Sequence, residues 1–383
     1  MGKHMNFGQI ISQNRAWYCL ECGKCSAVCP ITRWETREYT SPRLLVEKAI
    51  EGRTEDVLND LLFWSCLTCK RCSELCPSDV HFSEFLRDAR ALARQDGRGG
   101  ECTHGDVIQT WGQMMTDPAL HQNRLGWLDD DLKVSDDSDT VYFVGCLPYY
   151  DTMFKKLGAE GLEIARAAVK ILNYLGIEPQ VLADERWCGH DQLWQGDVET
   201  FRALAELNLE TLKASGATRI VTTCPECAHT LKVEYPALVG DHGMEVLHLT
   251  QLLEEGGDSK LQVASQNRQQ ATYQDPCRLG RYLGVYDAPR QVMADIGLDL
   301  VEMERTRHTS LCCGTSCWTS CGQVSKNIQV ERLREAKATG ADLLVTACVK
   351  CQIHFKCAQD DAELEDELNI EIRDLTTLLA ERL

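Results

Sequence analysis

The chain has 383 residues, 44% of them hydrophobic, enough for two or three domains with real cores. Its formal net charge is −18, and the imbalance is local: residues 1–100 carry 14 Lys/Arg against 13 Asp/Glu, the remainder 26 against 45. That balance argues against nucleic acid, which needs a basic face to displace counterions from phosphates, and no apolar run nears the roughly 20 residues that span a bilayer.

The N-terminal region carries one cysteine pattern twice, Cys19-x2-Cys22-x2-Cys25-x3-Cys29-Pro30 and Cys66-x2-Cys69-x2-Cys72-x3-Cys76-Pro77. This spacing houses a pair of [4Fe-4S] cubanes, three thiolates of each run serving one cluster and the fourth reaching the other. It assigns Cys19, Cys22, Cys25 and Cys76 to one cubane, and Cys66, Cys69, Cys72 and Cys29 to its neighbour. A zinc ribbon has similar Cys-x2-Cys knuckles but does not account for four cysteines and a trailing proline occurring twice. Lys24, Lys70 and Arg71 stand where they would offset cluster charge or simply face solvent. Between the motifs, Ser41-Pro42 followed by Arg43 to Ile50 and Gly52 reads as a capped helix, and Phe82 to Ala93 reads as another. We therefore expect a mainly helical ferredoxin domain at 1–100 and a connecting segment at 101–139, with a linker rich in Asp and Ser from Asp129 to Asp139.

An internal repeat follows. Cys146, Cys188, Cys224 and Cys227 match Cys277, Cys313, Cys348 and Cys351, the last three pairs at offsets of 125, 124 and 124 residues. Each half looks α/β: strand-like runs at Val141, Arg219 and Asp342 lead into cysteines, and helical stripes such as Gly161 to Leu175 lie between them. Cysteines thus fall at strand-to-loop transitions, where α/β sheets place ligands. The halves are expected at 140–255 and 270–383.

In the second half Cys277 precedes Cys312-Cys313-Gly314 by 34 intervening residues, and Cys348-x2-Cys351 follows after another 34. Five cysteines are one too many for a simple cubane. Here the sequence resembles the cysteine-rich CCG domains of heterodisulfide reductase catalytic subunits, matching at Cys277, Cys312, Cys313, Cys348 and Cys351. The resemblance implies that these five bind a noncubane [4Fe-4S] cluster at which a disulfide is cleaved, and it covers nearly the whole chain as a two-cubane module fused to two CCG domains. In the first half Trp187 replaces one cysteine, so Cys146, Cys188, Cys224 and Cys227 suit a cubane, a zinc ion or an empty packed site, with His190 and Asp191 close enough to assist. Cys317 and Cys321, at an i, i+4 step on an expected helix, are a redox dithiol or two small buried residues. Cys102 and Cys357 read as structural. His308, His354 and Arg278 are the polar candidates beside the second motif.

The implied function is an iron–sulfur oxidoreductase subunit that passes electrons from two cubanes to the noncubane site, where a thiol/disulfide pair reacts. The alternative is a pure electron relay between a flavoprotein dehydrogenase and a quinone or low-potential acceptor. No Gly-x-Gly-x-x-Gly fingerprint appears, so flavin belongs to a partner in a larger complex, with electron-bifurcating assemblies among the candidates. Twenty-one cysteines in ligand-spaced clusters, with no charged-then-apolar leader, point to a reducing, cytoplasmic setting. Any membrane association is expected through a partner subunit.

Overall fold

The computed structural model describes residues 6–255, 268–361 and 364–383. The described residues form two compact units that cut across chain order: Met1–Gln113 with Gly189–Phe201 and Leu311–Gln329, and Met114–Cys188 with Arg202–Ser310 and Val330–Leu383.

The first unit is mainly helical. Helix Pro42–Ile50 starts where Ser41 Oγ accepts from Leu44 N at 3.2 Å and proline occupies the first turn, so one orphan donor is satisfied and another is absent. Leu45, Val46 and Ala49 form its buried stripe, and Gly52, at φ +74°, ends it. Helix Phe82–Gln95 buries Phe82, Phe85, Leu86, Ala89 and Ala93, with Arg90 set in the same stripe. A further helix, Val107–Met114, arises in the segment read from sequence as a connection. From residue 115 to 139, already in the second unit, the chain is irregular, yet it buries Arg124 and Trp127.

The second unit is α/β. Strands β1 (Thr140–Tyr142), β2 (Arg219–Thr222) and β3 (Glu245–His248) make one parallel sheet in that order. Strands β4 (Gln269–Gln274), β5 (Leu298–Leu300), β6 (Leu343–Thr346) and β7 (Glu371–Asp374) make another, ordered β5-β4-β6-β7 and also parallel. The short apolar runs fit this: Ile220, Val221, Leu343, Leu344 and Val345 are fully buried, as central parallel strands covered on both faces must be. Strands β1-β2-β3 of the first copy correspond to β4-β6-β7 of the second. Where the second copy has β5, the first has only a single parallel bridge between Val141 and Gln180.

The copies interlock. Glu160 of the first accepts from Arg373 Nε at 2.7 Å, Asp374 N at 2.8 Å and Thr377 Oγ1 at 3.0 Å of the second. Lys350 Nζ lies 2.8 Å from Glu226 Oε2. His248 is buried with Nε2 3.1 Å from Thr223 O of its own copy, while the backbone of Ala347 in the second copy is its other partner. Two carbonyl partners require Nε2 to carry the proton, so Nδ1 accepts from Thr250. Among the described residues no helix is long and apolar enough to cross a membrane.

Candidate metal centres

The two N-terminal cysteine loops share one backbone solution. Glu21 (φ +51°) and Gly23 (φ +76°) stand at the same motif positions as Thr68 (φ +45°) and Lys70 (φ +64°). Three of these four carry side chains that disfavour the left-handed region, and Thr68 is β-branched, so the strain is retained for a purpose. Left-handed residues set among right-handed ones turn successive N–H groups to one side, a concavity suited to anionic iron–sulfur centres. One hollow is lined by Cys19, Cys22, Cys25, Cys72 and Cys76 together with Lys24 and Pro77. A second is lined by Cys29, Cys66, Cys69 and Cys72 together with Lys70 and Arg71. The electrostatics pair Cys19 with Cys76 and Cys29 with Cys69, and set Cys72 beside thiols of both groups. Burial first, and then the nearby Cys76, push the Cys19 thiol up; burial and, more weakly, Cys69 push Cys29 up to about 11. Cys72 is raised by burial and by Cys66, Cys69, Cys29 and Cys25. Such crowded thiols resist ionising alone, and a cationic iron core fits the donor set.

Arg90 lies behind the second loop and is 1% exposed. Its guanidinium donates to Phe63 O at 2.9 and 2.8 Å, Trp64 O at 3.1 Å, Cys66 O at 3.1 Å and Trp194 O at 3.0 Å. It thereby closes the C-terminal carbonyls of helix Leu61–Ser65 and holds a buried positive charge beside Cys66, whose thiol burial nonetheless raises to about 12. Sequence reasoning passed over Arg90. The signal was an arginine four residues after Leu86 and three before Ala93, on the apolar stripe.

In the first copy, Cys224 and Cys146 stand at the N-caps of helices Pro225–His229 and Leu147–Met153. Cys227 Sγ lies 3.4 Å from Cys188 Sγ, and hydrogen bonds with Cys188 and Cys224, ahead of burial, raise its thiol strongly. Gly145, at φ +65°, has no room for a side chain, since a Cβ there would sit 2.9 Å from Cys227 Sγ. The turn is locked by Glu185, which accepts from Val144 N at 3.0 Å and Gly145 N at 2.7 Å and pairs with buried Arg124. Asn208 Nδ2 donates to Arg186 O and Trp187 O, and Tyr235 Oη donates to Cys188 O, fixing the other arm. The all-sulfur donor set fits zinc or iron–sulfur. Trp187 is 2% exposed and packs edge-on against Tyr149 at 5.4 Å.

The second-copy cysteines fall in both units. Cys277 precedes the short helical turn Arg278–Tyr282, and Cys348 N-caps helix Val349–Gln359, which carries Cys351. Cys312 and Cys313 belong to the first unit and are buried. Tyr273 stands four residues before Cys277 on β4, as Tyr142 does before Cys146 on β1. Each is buried, raised chiefly by desolvation, and close to the last cysteine of its copy, Cys351 or Cys227. Arg278 is buried with its guanidinium 4.0 Å from the Tyr282 ring centre, and His354 is buried too, whereas His308 is exposed. Residues 316–319 form a tight turn rather than the expected helix, with Cys317, Trp318 and Ser320 at φ +54°, +56° and +54°. Thr and Ser are weak helix formers, and Gly314 and Gly322 flank the stretch. Cys317 is consequently buried and Cys321 exposed. Cys102, half-buried, bridges to Thr319, and Cys357 is half-buried in its helix.

The model of the 4Fe-4S dicluster domain matches residues 15–80, and that of the cysteine-rich CCG domain matches residues 140–232 and 271–356. A subunit of the dihydromethanophenazine:CoB–CoM heterodisulfide reductase of Methanosarcina acetivorans is 30% identical over 396 residues, covering 95% of this chain and 93% of that protein. Its Methanosarcina mazei counterpart is 32% identical over 271 residues, covering 68% of this chain and 63% of the relative. The EtfAB:quinone oxidoreductase of Syntrophomonas wolfei is 29% identical over 267 residues, 64% of this chain and 36% of that protein. With a dicluster domain, two CCG domains and a relative 30% identical over 95% of its length, the chain belongs to the heterodisulfide reductase-like family of iron–sulfur electron-transfer proteins.

Proposed function

We propose that this chain transfers electrons through two cubanes in its ferredoxin module (1–100) and, beyond the connecting segment 101–139, to a thiol/disulfide site in the second of its CCG domains (140–255 and 270–383). The observation that carries the reading is where the fourth cysteine of each run lies: Cys76 lines the hollow of Cys19, Cys22 and Cys25, Cys29 lines that of Cys66 and Cys69, and Cys72 borders both. Each cysteine run would then supply ligands to both clusters, tying them into one module.

Cys277, Cys312, Cys313, Cys348 and Cys351 would hold a noncubane [4Fe-4S] cluster, which when bound supplies the one-electron chemistry of disulfide cleavage. Cys146, Cys188, Cys224 and Cys227 would hold a simpler cubane or zinc centre. The chain's own residues position these groups: Glu185, Asn208 and Tyr235 hold the first-copy arms, and His248 ties the backbone ahead of Cys224 to that ahead of Cys348. The naming of a relative as a reductase subunit supports assembly with further redox subunits, and a flavoprotein among them is in keeping with the lack of a Gly-x-Gly-x-x-Gly fingerprint in this sequence.

The test is electron paramagnetic resonance of the oxidised holoprotein during addition of candidate thiols. A new signal, lost in Cys313→Ala while both ferredoxin signals persist, is expected. Silence across thiol classes favours the second reading, a relay to a quinone, which the similarity to an EtfAB:quinone oxidoreductase supports.

A further inference from the structure

Two turns, each following a cysteine–glycine step, meet inside the first unit. One begins at Gly189 (φ +80°), where a Cβ would lie 2.8 Å from Phe201 Cδ2, and opens helix His190–Trp194. The other begins at Gly314 (φ +96°) and runs into the left-handed pair Cys317 and Trp318. Their meeting brings a ring nitrogen of His190, a carboxylate oxygen of Asp191 and Cys317 Sγ within 4.8 Å of one another. The three residues are 2%, 5% and 0% exposed.

We propose that His190, Asp191 and Cys317 bind one zinc ion, a site separate from every cysteine set assigned above. Imidazole, carboxylate and thiolate are the three side-chain donors zinc takes, and this mixture suits a borderline cation better than a hard or a soft one. Charge supports the same choice. A thiolate and a carboxylate sum to −2, which a divalent cation cancels, and a neutral centre is the least costly state where water is excluded. The nearby guanidinium of Arg90 is already occupied by backbone carbonyls.

The surroundings hold the donors in place. Trp194 stacks on the His190 ring with centroids 6.2 Å apart and planes 28° apart. Gln109 Nε2 donates to Cys317 O at 3.3 Å. Ser316 Oγ stands 3.2 Å from Cys317 Sγ, and it is also 3.1 Å from Thr68 Oγ1, inside the second cysteine loop. An ion with no redox chemistry here would tie the two turns together, and Ser316 links them in turn to the second cysteine loop through Thr68.

The experiment is zinc, iron and sulfide analysis of anaerobically purified holoprotein, with zinc-edge X-ray absorption, for the wild type, His190→Gln and Cys317→Ser. We expect zinc with nitrogen or oxygen beside sulfur in its shell. Each variant should lose about one zinc per chain with iron and sulfide unchanged, since a mononuclear site holds a single ion. Absence of zinc from the wild type, an all-sulfur shell, or zinc contents equal in all three proteins overturns the proposal. If a variant loses iron as well, the wild-type coordination shell alone decides. The reading of the cubanes and the CCG site fails independently, through iron stoichiometry and thiol-dependent spectra.

Discussion

Replacing Arg90 by methionine keeps the length and apolar stem of the side chain and removes its charge and all of its donors. The wild-type guanidinium satisfies Phe63 O twice and Trp64 O, Cys66 O and Trp194 O once each, at 2.8–3.1 Å. Hydrogen bonds from a charged donor contribute about 1.5–3 kcal/mol each but do not add, because water enters where it can. Removing one partner of a buried charged network costs about 3–5 kcal/mol. The loss falls mainly on residues 61–72, to which three of the four acceptor residues belong, and at 1.36 kcal/mol per tenfold it corresponds to about two to four powers of ten in local opening. Hydrogen exchange of the anaerobic holoprotein reads this directly: amides of 61–72 should exchange faster by that factor, Arg90→Lys should fall between, and helix Pro42–Ile50 should change little. Loss of a buried cation also disfavours the reduced, more negative cluster. The potential of the centre on Cys66, Cys69 and Cys72 should therefore drop more than that of its neighbour. Exchange of 61–72 within about threefold of wild type, a difference of well under 1 kcal/mol, would refute the assignment of Arg90 as the clasp of this loop.

Two further outcomes are expected. Cys76→Ser should damage the centre held by Cys19, Cys22 and Cys25, and Cys29→Ser the one held by Cys66, Cys69 and Cys72, each leaving the other signal in reduced-state resonance spectra; the reverse pairing contradicts the exchange. Asp374 is raised to about 7, chiefly by burial and then by Glu160. Its folded pKa exceeds the unfolded value near 3.9, so the folded state holds more protons between those limits and stability falls as pH rises from about 4 to 7. Asp374→Asn, which keeps an acceptor for Thr376 N, should remove that slope when unfolding midpoints are compared with wild type across the window, and parallel pH profiles would argue against it.

The cysteine framework was legible because ligand spacing is local information. Four thiols within eleven residues must turn around something, and a strand ending in Cys-x2-Cys occurs in both halves with matching flanks. The capped helix at Pro42–Ile50 was readable for the same reason, since Ser41, Pro42 and Gly52 act on their own neighbours. What escaped were consequences of distant contacts. Nothing near Arg90 in sequence says that carbonyls 24 to 27 residues earlier will need a donor. The Cys317 to Cys321 spacing suggested one helix face, but bridging of Cys102 to Thr319 and the bond from Thr103 N to Trp318 O hold a turn there instead. His190 and Asp191 follow Cys188 in the chain, and the fold also gathers them with Cys317, more than a hundred residues on, which no local spacing announces.

The interlock between the CCG copies bears on how such a duplication ages. Glu160 serves the backbone and side chains of the second copy, and His248 joins the backbone ahead of Cys224 to that ahead of Cys348. A change in the first copy that dismantled its sheet would therefore remove a wall of the second. A change that touched only its ligand set, such as a tryptophan at 187 in place of a cysteine, would leave that wall standing. On the proposed function, selection on the second copy's chemistry would protect the first copy's scaffold while leaving its cysteine set free to change, so one half could vary at its cysteines while keeping its fold.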